Sequence, residues 1–134
     1  MEIRRLTEKD WDTLVSWWDW WPGWKAPAKE FLPENGTGGI MIEKEGIPIV
    51  AGFIYTSNSK LAWLEFVISN PKYKENDRDA AITTLIEASE ATCKDLGFMF
   101  MFSIGRSKAL MKKHKELGWS IDYKSSYEMI KYLK

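Results

Sequence analysis

Gly39–Asn70 reads GIMIEKEGIPIVAGFIYTSNSKLAWLEFVISN, and this stretch decides the fold. Ile40–Lys44 is a short β-rich run, Glu45-Gly46 is a turn pair, and Ile47–Thr56 is a second run of β-branched and aromatic residues. The polar Ser57–Lys60 makes another turn before Leu61–Ser69. Three runs joined by turns this short predict an antiparallel meander. Upstream, Glu2–Leu6 predicts a strand, and Thr7 offers a helix N-cap with Asp10 at its N3 position, a loose capping box. Trp11, Leu14, Val15 and Trp18 then recur at helical spacing, and Pro22 with Gly23 ends that helix. Between there and the meander is room for one short helical turn around Ala28–Leu32.

Downstream, PKYKEND (Pro71–Asp77) predicts a loop, which Asn76 or Asp77 can close by capping the next helix. Ile82, Leu85, Ile86, Ser89 and Cys93 mark that helix, which stops near Gly97. FMFMFSI (Phe98–Ile104) is continuously apolar, as a strand buried on both faces should be. RSKALMKKHKEL (Arg106–Leu117) predicts a helix closed by Gly118, and WSIDY (Trp119–Tyr123) with SSYEMIKYL (Ser125–Leu133) predicts a last pair of strands. The expectation is an α/β (α+β) fold in one domain, residues 1–134. Its mixed, mostly antiparallel sheet has six or seven strands and about four flanking helices.

Composition narrows the function classes. The chain has 134 residues, 45% hydrophobic and 28% charged, which is ordinary for one globular domain. Lys+Arg and Asp+Glu both number 19, so no net field favours nucleic acid or an anionic membrane. A lone cysteine, Cys93, forms no intramolecular disulfide, and one Cys with one His does not furnish a zinc set. No apolar run approaches the roughly 20 residues of a membrane span, and MEIRRLTEKD has no signal-peptide core. The expectation is a soluble cytoplasmic protein.

Four strings together resemble the GNAT superfamily of acyl-CoA-dependent N-acyltransferases, over nearly the whole chain. IRRLTEKDWDTL (Ile3–Leu14) looks like that family's opening strand and first helix. VISNPKY (Val67–Tyr73) is similar to the end of its fourth strand, where a hydrophobic-x-hydrophobic-x-Pro pattern precedes the cofactor loop. NDRDAAITTLIEA (Asn76–Ala88) stands where the family carries an Arg/Gln-x-x-Gly-x-Gly/Ala loop opening a long helix. SKALMKKHKELGW (Ser107–Trp119) resembles its Asn-x-x-Ala-x-x-x-Tyr-x-x-x-Gly-Phe segment, in a register set by Leu117-Gly118-Trp119.

The resemblance implies acetyl-CoA as acyl donor and an amine, small-molecule or peptide, as acceptor. It implies that backbone groups around Val67 and Ser69 hold the pantetheine arm, and that Ser107 stands for the family's cofactor-contacting Asn. It implies a diphosphate on the loop and the helix that follows, since a helix N-terminus offers unpaired donors and about half a positive charge. Placing Arg78 on the family's Arg/Gln puts Asp79 and Ala80 in the loop and Ala81 and Thr83 on its two small positions. A register shifted by one puts Asp77 on the Arg, with Ala80 and Ile82 on the glycines. Either way the loop has no glycine, and Asp77 and Asp79 bring negative charge to it.

Acyl transfer to an amine needs a proton acceptor for the amine, a donor for the developing oxyanion and a way for the thiolate to leave. Glu65 is the only carboxylate within LAWLEFVIS and is the candidate base or a binding group for a cationic substrate, or else a solvent-facing or ion-paired residue. Strand alternation puts Trp63, Glu65, Val67 and Ser69 on one face and Ala62, Leu64, Phe66 and Ile68 on the other. His114 stands on the segment's Tyr and is the candidate acid, with Tyr123 and Tyr127 as alternatives. Cys93 reads as packing.

SWWDWWPGW (Ser16–Trp24) puts five of eight tryptophans in nine residues. Trp11, Leu14, Val15 and Trp18 form one stripe, and Trp17, Trp20, Trp21 and Trp24 a second. Three readings stand for the second stripe: an aromatic wall for an apolar or cationic acceptor made by Trp20, Trp21 and Trp24, a homodimer contact, or packing against APAKEFLP. A GNAT-like module without catalysis, holding a peptide or partner subunit on that face, is the alternative function.

Overall fold

A computed structural model of the chain describes residues 1–124 and 126–133. Five strands form one sheet in sequence order: β1 (Glu2–Arg5), β2 (Gly39–Lys44), β3 (Ile47–Tyr55), β4 (Leu61–Ser69) and β5 (Phe100–Phe102). The first four are antiparallel neighbours, and β4 pairs with β5 in parallel. The meander forms as its pattern requires. Glu45 and Gly46 both take positive φ (53° and 77°), the two-residue turn that suits the twist of a hairpin.

Three α-helices flank the sheet: α1 (Trp11–Trp20), α2 (Glu75–Asp95) and α3 (Lys108–Glu116). The start of α1 is built as the capping box predicts, through a 3-10 turn at Glu8–Asp10. The Asp10 carboxylate accepts the Thr7 N–H at 2.8 Å and two bonds from the Arg4 guanidinium at 2.8 and 2.9 Å. Arg4 also reaches Glu43 at 3.1 Å, which ties β1, β2 and α1 together. The short turn expected near Ala28 is a 3-10 turn at Lys29–Phe31, followed by another at Pro33–Gly36.

The two faces of the sheet carry separate cores. Leu14, Trp17 and Trp18 of α1 pack on Met41, Ala51, Phe53 and Ile68. On the other face Ala81 and Leu85 of α2 pack on Ile40, Ile42, Ile49 and Val50. The split follows from alternation, since Ile40 and Ile42 point one way and Met41 the other. Cys93 is buried in α2 with a thiol pushed up by that burial. Among the described residues no helix is long and apolar enough to cross a membrane.

Several expectations need correction. Among the described residues the sheet has five strands, and three α-helices flank it. Trp119–Tyr123 and the described part of Ser125–Leu133 carry no strand (Ser125 itself lies outside the described residues). Trp119 instead turns onto α2, its Nε1 donating to Glu90 at 3.2 Å. In the tail the apolar positions change parity between Met129 and Ile130, so neither face of a strand would be uniformly apolar. With no described strand outside it, β5 is a three-residue edge, and Phe100 and Phe102 are 62% and 47% exposed rather than buried on both faces. α2 begins at Glu75 with Lys74 as its N-cap, so Asn76 and Asp77 lie in its first turn and do not cap it. Trp17 belongs to the core, not to a second stripe, whereas Trp20 is 54% exposed.

Candidate functional site

β4 and β5 pair over only three positions, Leu61 with Phe100, Ala62 with Met101 and Trp63 with Phe102. Beyond them side chains replace the backbone ladder. The Ile104 N–H donates to Glu65 Oε1 at 2.9 Å, and Ser103 Oγ donates to the Leu64 carbonyl at 2.7 Å. The strands part where β4 is itself irregular. Phe53 faces Glu65 and Ala51 faces Ile68, so Phe66 and Val67 together stand opposite Gly52 alone. Phe66 takes φ of 54°, and this β-bulge resets the alternation of the strand.

The consequence is a change of neighbours. A Cβ on Gly52 would lie 3.0 Å from Leu64 Cδ1 and 3.4 Å from Val67 Cγ2, so these two share the α2 side. Phe66 and Ile68 pack toward α1. Strict alternation, which pairs Glu65 with Val67 and Phe66 with Leu64, therefore fails at the bulge. Glu65 stands beside Phe66.

A cavity opens on each side of that pair. The first, of about 250 Å³, lies between β4 and α3. Val67, Ile68 and Ser69 form one wall and Ser107, Ala109 and Leu110 the other, with Ile82 contributed by α2. Trp21, Trp24 and Arg106 also line it. The second cavity, of about 450 Å³, is walled by Phe31, Tyr55, Thr56, Trp63 and Ile130. Glu65, Phe66 and Ile104 line both, and among the described residues Glu65 is the one acid in either lining.

Burial pushes the Glu65 carboxyl above the usual carboxylate range, and Glu128 adds to the push, while the Ile104 N–H and Arg106 act against it. A carboxylate so placed holds its proton less weakly than a surface one and can accept a proton from an amine in either cavity. Burial, with Glu65 adding to it, moves the Tyr55 phenol up to about 12. Tyr55 thus keeps its proton at neutral pH and donates it to the Phe31 carbonyl at 2.6 Å.

No family model and no curated protein matches this chain. Solved structures do. A variant of TTHA1254 from Thermus thermophilus superposes with a TM-score of 0.72 at 15% identity, covering 100% of both chains. The aminoglycoside antibiotic 6'-N-acetyltransferase of Acinetobacter haemolyticus gives 0.65 at 17% identity, over 98% of this chain and 99% of that one. Rv2747 of Mycobacterium tuberculosis, solved in complex with CoA, gives 0.67 at 15% identity, over 86% and 70%. The chain has the GNAT fold.

On this GNAT fold the expected cofactor residues separate into two groups. Val67, Ser69 and Ser107 meet in the first cavity. Ser107 caps α3, its Oγ accepting the Leu110 N–H at 3.0 Å. Arg78 does not reach this cavity. Its Nη2 donates to the carbonyls of Asn70, Pro71 and Tyr73 at 3.1, 3.2 and 3.0 Å, which folds the β4–α2 loop around the guanidinium. Asp79 pairs with Lys113 at 3.1 Å and Asp77 with Lys44 at 3.4 Å, so the two acids that would repel an anion are each balanced. Ala80 is exposed, Ala81 is buried in the core, and Thr83 Oγ1 bonds the Asp79 carbonyl at 3.3 Å. These three lie beyond the first turn of α2, where each N–H is used within the helix. The unpaired donors are those of the first turn, Glu75, Asn76 and Asp77.

The proton-donor candidates lie elsewhere. His114 is buried with Nδ1 2.8 Å from the Leu110 carbonyl and its ring edge-on to Trp119 at 4.6 Å. α3 leaves the cleft after Leu110, so His114 lines neither cavity. Tyr123 and Tyr127 are exposed and line neither. Trp21 and Trp24 line the first cavity, beside Ser69, not the second. The Trp21 indole N–H donates to the Ser69 carbonyl at 3.0 Å, Arg78 stands 5.4 Å over its ring, and Trp20 meets it edge-on at 4.8 Å. Tyr55, Phe31, Ile104 and Arg106 carry no mark of a site in the sequence. Of the second cavity, Glu65 and Trp63, two residues apart on one strand face, are legible in the sequence.

Proposed function

We propose that the chain is an N-acyltransferase that moves an acetyl or similar acyl group from acyl-CoA to a primary amine by direct attack. The observation that carries this is Glu65, a lone half-buried carboxyl in the wall shared by the two cavities. One cavity suits the donor and the other the acceptor. The open edge of β4 from Phe66 to Ile68, no longer paired with β5, is free to bond a pantetheine arm, and Val67, Ile68, Ile82 and Leu110 give that cleft apolar walls. The first-turn N–H groups of α2, flanked by Lys72 and Lys74, are the donors for a diphosphate. Acyl-CoA supplies the acyl group as a thioester.

Glu65 accepts the proton that the amine must lose, and the backbone of the bulge at Phe66–Val67 faces the reacting carbonyl. Among the described residues no Cys, His or Lys lines either cavity, and Cys93 is buried in α2. In this reading the amine attacks the thioester carbon directly, without an acyl-enzyme, the C–S bond breaks, and CoA leaves as its thiolate. A second reading, a module without catalysis, draws on Trp21, whose indole already occupies the Ser69 carbonyl.

Calorimetric titration with acetyl-CoA, paired with a thiol-release assay on Glu65→Gln, tests the reading. Binding with an affinity within about twofold in both proteins, and turnover lower by about 100-fold in the variant, is the expected result. No heat at millimolar acetyl-CoA leaves the binding module standing in its place.

A further inference from the structure

Resting on that reading, we propose that the acceptor is a primary amine with a single positive charge on an aromatic or branched apolar body. Three features of the second cavity point to it. Among the described residues its lining contains one carboxylate, Glu65, and no second acid. A polycation such as a polyamine or an amino sugar would bring further ammonium groups to Phe31, Trp63, Ile104 and Ile130. Glu128, the other acid that acts on Glu65, is already paired with Arg106, so the lining pairs one of its charges and gains nothing from the rest. The walls offer few other hydrogen-bonding groups, because the Tyr55 hydroxyl is already held by the Phe31 carbonyl at 2.6 Å, which leaves the Thr56 hydroxyl and the Trp63 indole N–H. A polyhydroxylated body would lose more water contacts than these two groups replace.

The third feature is aromatic surface. Tyr55, Trp63, Phe66 and Phe31 line the cavity together with the acid, and Tyr55 and Phe66 lie 6.4 Å apart, tilted. Such a lining favours a flat apolar group and an ammonium together. The volume of about 450 Å³ falls in the range of small-molecule sites and is too large for a bare alkylamine alone.

Acetyl transfer to phenethylamine and tryptamine, compared with spermidine and kanamycin, is the direct test. The expected kcat/KM is at least about tenfold higher for the two arylalkylamines, and Trp63→Ala raises their KM by about tenfold while acetyl-CoA affinity stays within about twofold. Equal or better use of spermidine or kanamycin, or an unchanged KM in Trp63→Ala, overturns the substrate class while leaving acyl transfer intact. A thermal-shift titration with phenethylamine against spermidine reads the cavity without turnover. Stabilisation by phenethylamine alone, abolished by Glu65→Gln, supports the class even if acetyl-CoA fails to bind, and stabilisation by spermidine alone overturns it.

Discussion

Glu65 bonds one oxygen to the Ile104 N–H and lines both cavities with the rest of its carboxyl. Its raised value has two consequences of opposite sign. In the proposed role of base it would work ionised, so kcat/KM for a fixed amine should rise with pH through a limb above the ordinary carboxylate range. That limb should vanish in Glu65→Gln, which a pH–rate profile checks. For folding, a carboxyl harder to ionise in the native state than in the unfolded chain loses stability as pH rises from the unfolded value, about 4.3, through the folded one. Glu65→Gln, whose amide oxygen can still accept from Ile104, should therefore melt no lower than the native protein at pH 7. Arg78 is the opposite kind of residue, a cation serving the chain itself. With three carbonyls on one nitrogen and a Nε buried without a partner among the described residues, it organises the β4–α2 loop. Arg78→Met should cost about 2–3 kcal/mol in urea denaturation and leave the salt dependence of acetyl-CoA affinity unchanged. A residue that bound diphosphate would show the reverse pattern.

At the scale of elements, the bulge in β4 makes the site by aiming Glu65 and Phe66 to one side. Gly52 permits it, since a Cβ there would press on Leu64 at 3.0 Å and Leu85 at 3.1 Å. Gly52→Val is expected to destabilise by about 1–3 kcal/mol through overpacking, read from the urea midpoint, and Gly52→Ala by less. The start of α1 rests on Asp10, which Arg4 above all, with the Thr7 N–H helping, holds below the usual carboxylate range. Asp10→Asn should lose about 1.5 kcal/mol at pH 7. Because a depressed carboxyl contributes its stability above the unfolded value, the gap to the native protein should close as pH falls from about 4 through the depressed one. Those elements were legible in the sequence. Glu45-Gly46 and the Thr7–Asp10 spacing state a turn and a helix start within a few residues, because the physics there is local. The bulge left no such mark, since it depends on which residue of β3 faces which of β4, and that is settled only by packing against α2. The second cavity was missed for the same reason. Phe31, Tyr55, Ile104 and Ile130 come from four separate segments, and nothing in any one of them points to the others. The apolar tail has the composition of a strand, but composition without steady parity does not make a face.

For the molecule as a whole, the two cores are joined through β4, which contributes Ile68 to one and Val67 to the other across the bulge. A ligand seated along that strand should brace both. Acetyl-CoA at about 100 times its dissociation constant is expected to stabilise the native state by about 2.7 kcal/mol, measured as a shift in the urea midpoint. Buried Cys93, on the inner face of α2, gives this a second readout. Its thiol is both shielded and hard to ionise, so a thiol-reactive dye should label it only during excursions in which the long helix detaches from the sheet. Because the sequence holds no other cysteine, every labelling event reports exposure of this one position, and the chain becomes its own gauge of how often the far end of α2 comes loose.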